Sequence, residues 1–170
     1  AKIDGLGKFE IDKDITKKII VTAENGNEKV YNINIKLTGI KIDDPIDVKT
    51  TLNNAGIKNN DKYISGINVS SNISSIKEKI INANKNAKVV LQNKNGEVKE
   101  NGIVCTGDKV VITVLDEVKT YEVVIYGDVN GDGMIKATDY VLVKNKIMGT
   151  ITLSGAYLEA ADVDRNGFVK

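Results

Sequence analysis

GDVNGDGMIKATDY, residues 127–140, contains three aspartates, one asparagine and three glycines. It follows directly on the strand-like run YEVVIYG and closes into the helix-like run ATDYVLVKNKIMG. Carboxylates crowded this closely repel one another unless something of opposite charge sits among them. The reading of this stretch turns on what that something is, and on whether the stretch stands alone.

Counted from Asp128, the spacing is that of an EF-hand calcium loop, which places oxygen donors at positions 1, 3, 5, 7, 9 and 12 and a glycine at 6. Asp128, Asn130, Asp132, the Met134 carbonyl, Lys136 and Asp139 hold those places, with Gly133 at the sharp turn. Calcium takes six to eight oxygens at about 2.3–2.6 Å, so the donors suit it. Lys136 offers no oxygen, but a water commonly fills position 9. Aspartate at position 12 is shorter than the usual glutamate and would draw the loop in more tightly to chelate with both oxygens. Without an ion the crowded loop is expected to loosen. A simple acidic turn would not require Asp128 and Asp139 at their offsets.

A second copy of the pattern starts at Asp162. In ADVDRNGFVK, residues 161–170, Asp162, Asp164 and Asn166 take positions 1, 3 and 5, Gly167 takes 6, the Phe168 carbonyl 7 and Val169 8. The apolar Ile135, at position 8 of the first loop, is expected to meet Val169 through a short bridge. Between the loops, ATDYVLVKNKIMG reads as a helix ending near Gly149, and LSGAYLEAA as a second helix with Ser154 as its cap. Lys170 falls short of the twelfth place of the second loop, so that site is expected to lack its closing acid and the following helix.

Duplicated loop-then-helix units with no helix ahead of the first loop resemble the type I dockerin, across residues 127–170. The resemblance implies Ca2+ as the structural ion. It also implies a cohesin module, of a scaffoldin or cell-surface protein, as the partner. Ala137 and Thr138, then Lys144 and Asn145 on the helix, match the cohesin-reading positions of that family. The Ala-Thr pair differs from the Ser-Thr of one well-known specificity class, so the particular cohesin stays open. The family further implies a secreted protein, extracellular or on a bacterial cell surface, anchored in a cellulosome-like assembly and monomeric when free.

Upstream, KKIIVTAENGNEKVYNINIKL reads as two strands joined at Asn25-Gly26, with Tyr31, Ile33, Ile35 and Leu37 on an apolar face. GLGKFEI and this hairpin resemble the closing strands of cadherin-like β-sandwich repeats of bacterial surface proteins, which assigns residues 1–42. KIDDPID, with the single proline, reads as a linker. Residues 45–126 then read as strand (YISGINVS), helix and about four strands. The helix, NISSIKEKIINAN, sets Ile73, Ile76, Ile80 and Ile81 on one face, capped by Asn72 or by a Ser75–Glu78 box. Asn95-Gly96 marks a hairpin turn. The order resembles a small module that precedes the calcium segment in clostridial extracellular proteins. The fold class is therefore α+β in several modules: N-terminal strands, a small sheet with one helix, and an EF-hand-like calcium loop-helix segment.

Composition removes several functions. The net charge is +1 and Arg165 is the single arginine, which leaves little for nucleic acid or an anionic membrane surface. Histidine is absent, and one cysteine, Cys105, excludes an internal disulfide and reads as a packed side chain. No run stays apolar for long enough to span a membrane. The start, AKIDGLGKFE, reads as the cut end of a longer protein. No acid pair, phosphate loop or nucleophile elbow marks residues 45–126, so the chain reads as non-catalytic. Two alternatives are the non-catalytic end of a polysaccharide-degrading enzyme and a glycan-binding adhesin. The adhesin is disfavoured by 5% aromatics and no tryptophan.

Overall fold

The computed structural model describes residues 2–4, 15–35 and 46–170. The chain divides into two compact units, Ala1–Asp44 and Pro45–Lys170.

In the first unit, β1 (Lys2–Asp4), β2 (Ile15–Thr22) and β3 (Glu28–Ile35) form an antiparallel sheet in that order. The β2–β3 turn lies where Asn25-Gly26 places it. Gly26 has φ +84°, and Ala23 and Asn27 close the turn with an N–H to carbonyl bond of 2.8 Å. The expected one-sided burial of β3 is not found. Val30, Tyr31 and Ile33 are all exposed, and only Ile35 is half-buried. Among the described residues of this unit the three strands make one layer, and one layer by itself supplies no second face for burial. GLGKFEI, Leu37 and most of KIDDPID lie outside the described residues.

The second unit is α+β. Helix α1 (Val48–Asn54) precedes the short strands β4 (Lys58–Asn59) and β5 (Tyr63–Ser65). Helix α2 (Ile73–Ala83) then leads to β6 (Lys88–Gln92), β7 (Lys109–Val114) and β8 (Glu117–Val123). The sheet order is β4-β5-β8-β7-β6, mixed because β5 runs parallel to β8 while the other pairs are antiparallel. Three strands, rather than about four, follow α2; the chain after Asn95-Gly96 makes only a bridge, Gln92 to Val98.

Alternation along β7 buries Val110, Ile112 and Val114 completely or nearly so, and the helices supply the opposing layer. Ile73, Ile76 and Ile80 of α2 are buried as the helical spacing requires, whereas Ile81 is half-buried. Asn72 holds the N-cap position without a side-chain bond. Helix α1 is the unforeseen element. Its composition, Thr-Thr-Leu-Asn-Asn, favours a helix weakly. Val48 and Leu52, one turn apart, are both fully buried, and Asp47 Oδ1 accepts the Thr50 N–H at 2.6 Å, which fixes the first turn. Tertiary packing decides this helix.

C-terminal to β8 come α3 (Ala137–Ile147) and α4 (Gly155–Ala161). Ala156 and Ala160 of α4 pack on Val124, just past β8, with Tyr63 and Tyr126 against them. The small side chains let the helix lie close to the sheet's end. Residues 45–126 and 127–170 thus share one compact body.

Leu52→Ala should lower the unfolding free energy of the second unit by about 2–5 kcal/mol in urea titrations followed by circular dichroism. A loss below about 1 kcal/mol would mean that α1 is not part of this core.

Candidate metal centre

The first loop is organised around two carboxylates with almost no access to solvent. Asp128 is 0% exposed and Asp139 is 2% exposed. Asp128 Oδ1 accepts the Asp132 N–H at 3.0 Å, and its Oδ2 accepts those of Gly133 at 3.1 Å and Thr106 at 2.8 Å. Asp139 Oδ1 accepts from Val129 (2.8 Å) and Asn130 (3.0 Å), and its Oδ2 from Lys136 (2.9 Å). Position 12 thereby ties the backbone of positions 2, 3 and 9 together. Buried carboxylates are tolerated because backbone donors satisfy them.

The less buried donors sit between these two. Asn130 Oδ1 accepts the Asp132 N–H at 2.9 Å, and Asp132 Oδ1 accepts the Met134 N–H at 2.9 Å. Lys136, at position 9, places its ammonium 3.1 Å from Asp132 Oδ2. It enters the loop as a cation rather than as an oxygen donor. That hydrogen bond, opposed by desolvation and aided by the Asn130 amide and Met134 N–H, holds the Asp132 carboxyl below its ordinary value of 3.8.

The second loop reproduces this wiring at the same offsets. Asp162 Oδ1 accepts from Asn166 N (3.2 Å) and Oδ2 from Gly167 N (2.8 Å), as Asp128 does from Asp132 and Gly133. Phe168 N donates to Asn166 Oδ1 at 2.9 Å, matching Met134 and Asp132. Asparagine and aspartate exchange places at positions 3 and 5, and the contact between them survives with its direction reversed. Asn130 Nδ2 donates to Asp132 Oδ2 at 3.2 Å in one loop, and Asn166 Nδ2 to Asp164 Oδ2 at 2.6 Å in the other. The surroundings differ. Val129 is 1% exposed while its counterpart Val163 is 57% exposed.

That difference arises because residues 103–108, in the loop before β7, wall in the first loop. The Thr106 carbonyl lies 2.7 Å from where a Cβ on Gly131 would stand, and the Val104 carbonyl 2.9 Å from one on Gly133. At both positions, with φ of +73° and +76°, only glycine admits so close a backbone. Ser70 N donates to the Gly133 carbonyl at 2.9 Å. Lys99 Nζ and Asp108 Oδ2, 2.6 Å apart, anchor the wall, and Asp108 Oδ2 also accepts the Cys105 N–H at 2.9 Å. Burial and then the Asp108 charge push the Cys105 thiol up, so it is a packing group against Gly133. Nothing in the sequence pointed to Thr106 or Ser70, because they lie far from the loop along the chain and carry no special spacing.

The expected Ile135–Val169 bridge is not formed. The isolated bridges among the described residues join Asn72 to Ile103 and Gln92 to Val98. Ile135 instead folds back over Gly127, a contact at the start of its own loop, and leaves its outer side exposed. Of the positions matched to partner reading, Ala137, Thr138 and Lys144 are exposed and Asn145 is half-buried. The Thr138 hydroxyl also accepts from Asn130 Nδ2 at 3.3 Å. Asp139 alone is buried in α3, whose Tyr140, Val141 and Ile147 face solvent along with Met148 just beyond its end.

Among the described residues no three acid, thiol or imidazole side chains converge on one point. The carboxylates of the first loop are turned onto backbone N–H groups. A carboxylate has about four acceptor places, so Asp128 and Asp139, with three donors each, retain acceptor capacity. The side-chain donors Asn130 and Asp132 add further hard oxygens in the same loop, and the Lys136 ammonium on Asp132 already marks the place as one that takes positive charge. The residues present fit calcium.

Residues 126–170 match the family model described as the dockerin type I domain. The segment carrying both loops is thus a type I dockerin domain, and such domains bind calcium. Comparisons with curated proteins and with solved structures returned no match.

In the calcium-free protein Asp132 should titrate below 3.8 by NMR, and Lys136→Met should move its midpoint upward. Because the folded pKa is depressed, the stability Asp132 contributes is present above 3.8 and disappears as pH falls through the folded value. An unchanged midpoint in Lys136→Met would show that the ammonium is not what holds the carboxylate ionised.

Proposed function

We propose that the two loops bind calcium in an EF-hand-like manner, and that α3 presents the face by which a cohesin module fastens this chain into a cellulosome-like extracellular assembly. The first site is held by Asp128, Asn130, Asp132, the Met134 carbonyl and Asp139. A water beside Lys136 completes it. The second uses Asp162, Asp164, Asn166 and the Phe168 carbonyl. The observation that carries this reading is the repeated hydrogen-bonding of the loops that begin at Asp128 and Asp162. A turn selected only for chain reversal has no reason to keep carboxylates at positions 1 and 3 or 5 twice over.

Calcium supplies the positive charge that the crowded oxygens need, and by binding the folded state it stabilises a segment with little core of its own. The gain is RT ln(1 + [L]/Kd), about 2.7 kcal/mol at a hundredfold excess over Kd. Partner binding is supported by α3. Tyr140, 69% exposed, with Val141, Ile147 and Met148, forms an apolar stripe beside Lys144, the composition expected of a protein-docking face. Residues 45–126 serve as a non-catalytic support, and residues 1–42 as the end of a cadherin-like repeat. No helix among the described residues is long and apolar enough to cross a membrane.

Calorimetry should register calcium uptake, weakened about tenfold or more in Asp132→Ala, a half-exposed ligand whose removal spares the buried junction. In a panel of type I cohesins, binding to one member should vanish in chelator and weaken in Lys144→Glu. Unaltered calcium binding in Asp132→Ala would reject the ligand assignment; cohesin binding that survives chelation would reject the calcium dependence.

A further inference from the structure

We propose that Thr106, outside the twelve-residue loop, is a positioning residue for the first calcium site, acting through Asp128. The inference rests on the calcium reading above and adds a part of the chain that the loop spacing does not include.

Thr106 is 2% exposed and is fixed at both of its polar ends. Its hydroxyl accepts the Ile125 N–H at 3.1 Å and donates to the Ile125 carbonyl at 3.3 Å. Its own N–H donates to Asp128 Oδ2 at 2.8 Å. The Ile125 carbonyl also accepts the Asp128 N–H at 2.9 Å, so Thr106, Ile125 and Asp128 close a ring of hydrogen bonds. The hydroxyl sets where the Thr106 backbone lies, and that backbone sets the rotation of the Asp128 carboxylate. With Oδ2 held by Thr106 and Gly133, Oδ1 stays on the loop side, where it accepts the Asp132 N–H at 3.0 Å.

The second loop is the internal control. Asp162 receives the same two donors, Asn166 and Gly167, and both come from within its own loop. The charge on Asp128 is therefore shared with a donor from residues 103–108, and that on Asp162 is not. The first loop should hold its shape before any ion arrives, while the second should form with it. Preorganisation of this kind raises affinity by removing the ordering cost from the binding step. The expectation that the first loop loosens without calcium is replaced by an asymmetric one.

The test uses the full chain with calcium chloride alone as the probe, and amide hydrogen exchange at Gly133 and Gly167 to read the two loops separately. In chelator the wild-type Gly133 amide should exchange far more slowly than that of Gly167. Thr106→Ala should weaken calcium at the first loop about tenfold, leave the second unchanged, and speed Gly133 exchange while β7 and β8 amides stay protected. Thr106→Ser, which keeps the hydroxyl, should restore wild-type behaviour. Equal exchange of the two glycine amides in wild-type chelated protein would overturn the proposal, as would an unchanged first-loop affinity in Thr106→Ala. If Thr106→Ala also loosens β7, the wild-type comparison of Gly133 with Gly167 decides. Absence of any calcium uptake by the wild-type chain would defeat the calcium reading itself, and this inference with it.

Discussion

A carboxylate sealed from water is tolerated only where hydrogen-bond donors meet it, and Asp128 is such a group. Its three donors are Asp132 and Gly133 from its own loop and Thr106 from the sheet domain ahead of it. Removing any one would leave two donors on a charge in a place of low dielectric, where a lost partner costs more than at the surface. Gly131 and Gly133 let the carbonyls of residues 106 and 104 approach, and Lys99 with Asp108 fixes the wall beside that carboxylate. The same atom group that starts the calcium spacing is the seam between two segments of the chain.

This seam determines what is left for a partner. Loop one is covered on its inner side by residues 103–108, and α4 rests on Val124 through Ala156 and Ala160. Helix α3 is the contrasting element, projecting with Asp139 as its sole buried residue. A dockerin segment carried in this way has its orientation fixed relative to the sheet domain of the second unit. A protein bound on α3 would be held at a set angle to that domain rather than on a loose tether.

The loops could be read because their determinants are local. Ligand spacing, the glycine at position 6 and the recurrence of the Asp128 pattern at Asp162 are all written within short windows, and the two loops repeat the same carboxylate-to-backbone hydrogen bonds at the same offsets. Helix α2, with isoleucines one turn apart, and the strands β7 and β8 were legible for the same reason. What could not be read depends on distant residues. Helix α1 has weak intrinsic preference and is fixed by burial of Val48 and Leu52. Thr106 reaches Asp128 across 22 positions of chain, and no periodicity encodes that. The Ile135–Val169 pairing is not formed; Ile135 lies over Gly127 at the start of its own loop instead. The exposure of β3 shows the limit of alternation as a signal, since it marks a face able to be buried without supplying what buries it.

The most direct test of this account is thermal unfolding of the second unit, followed through the amides of β7 and β8, in excess calcium and in chelator. If the loop carboxylate joins the ion to the sheet, calcium should raise the temperature at which those strands open, and the rise should grow with calcium concentration as linkage requires. Strands that open at the same temperature in both conditions would contradict it, because the sheet and the calcium segment would then be independent bodies.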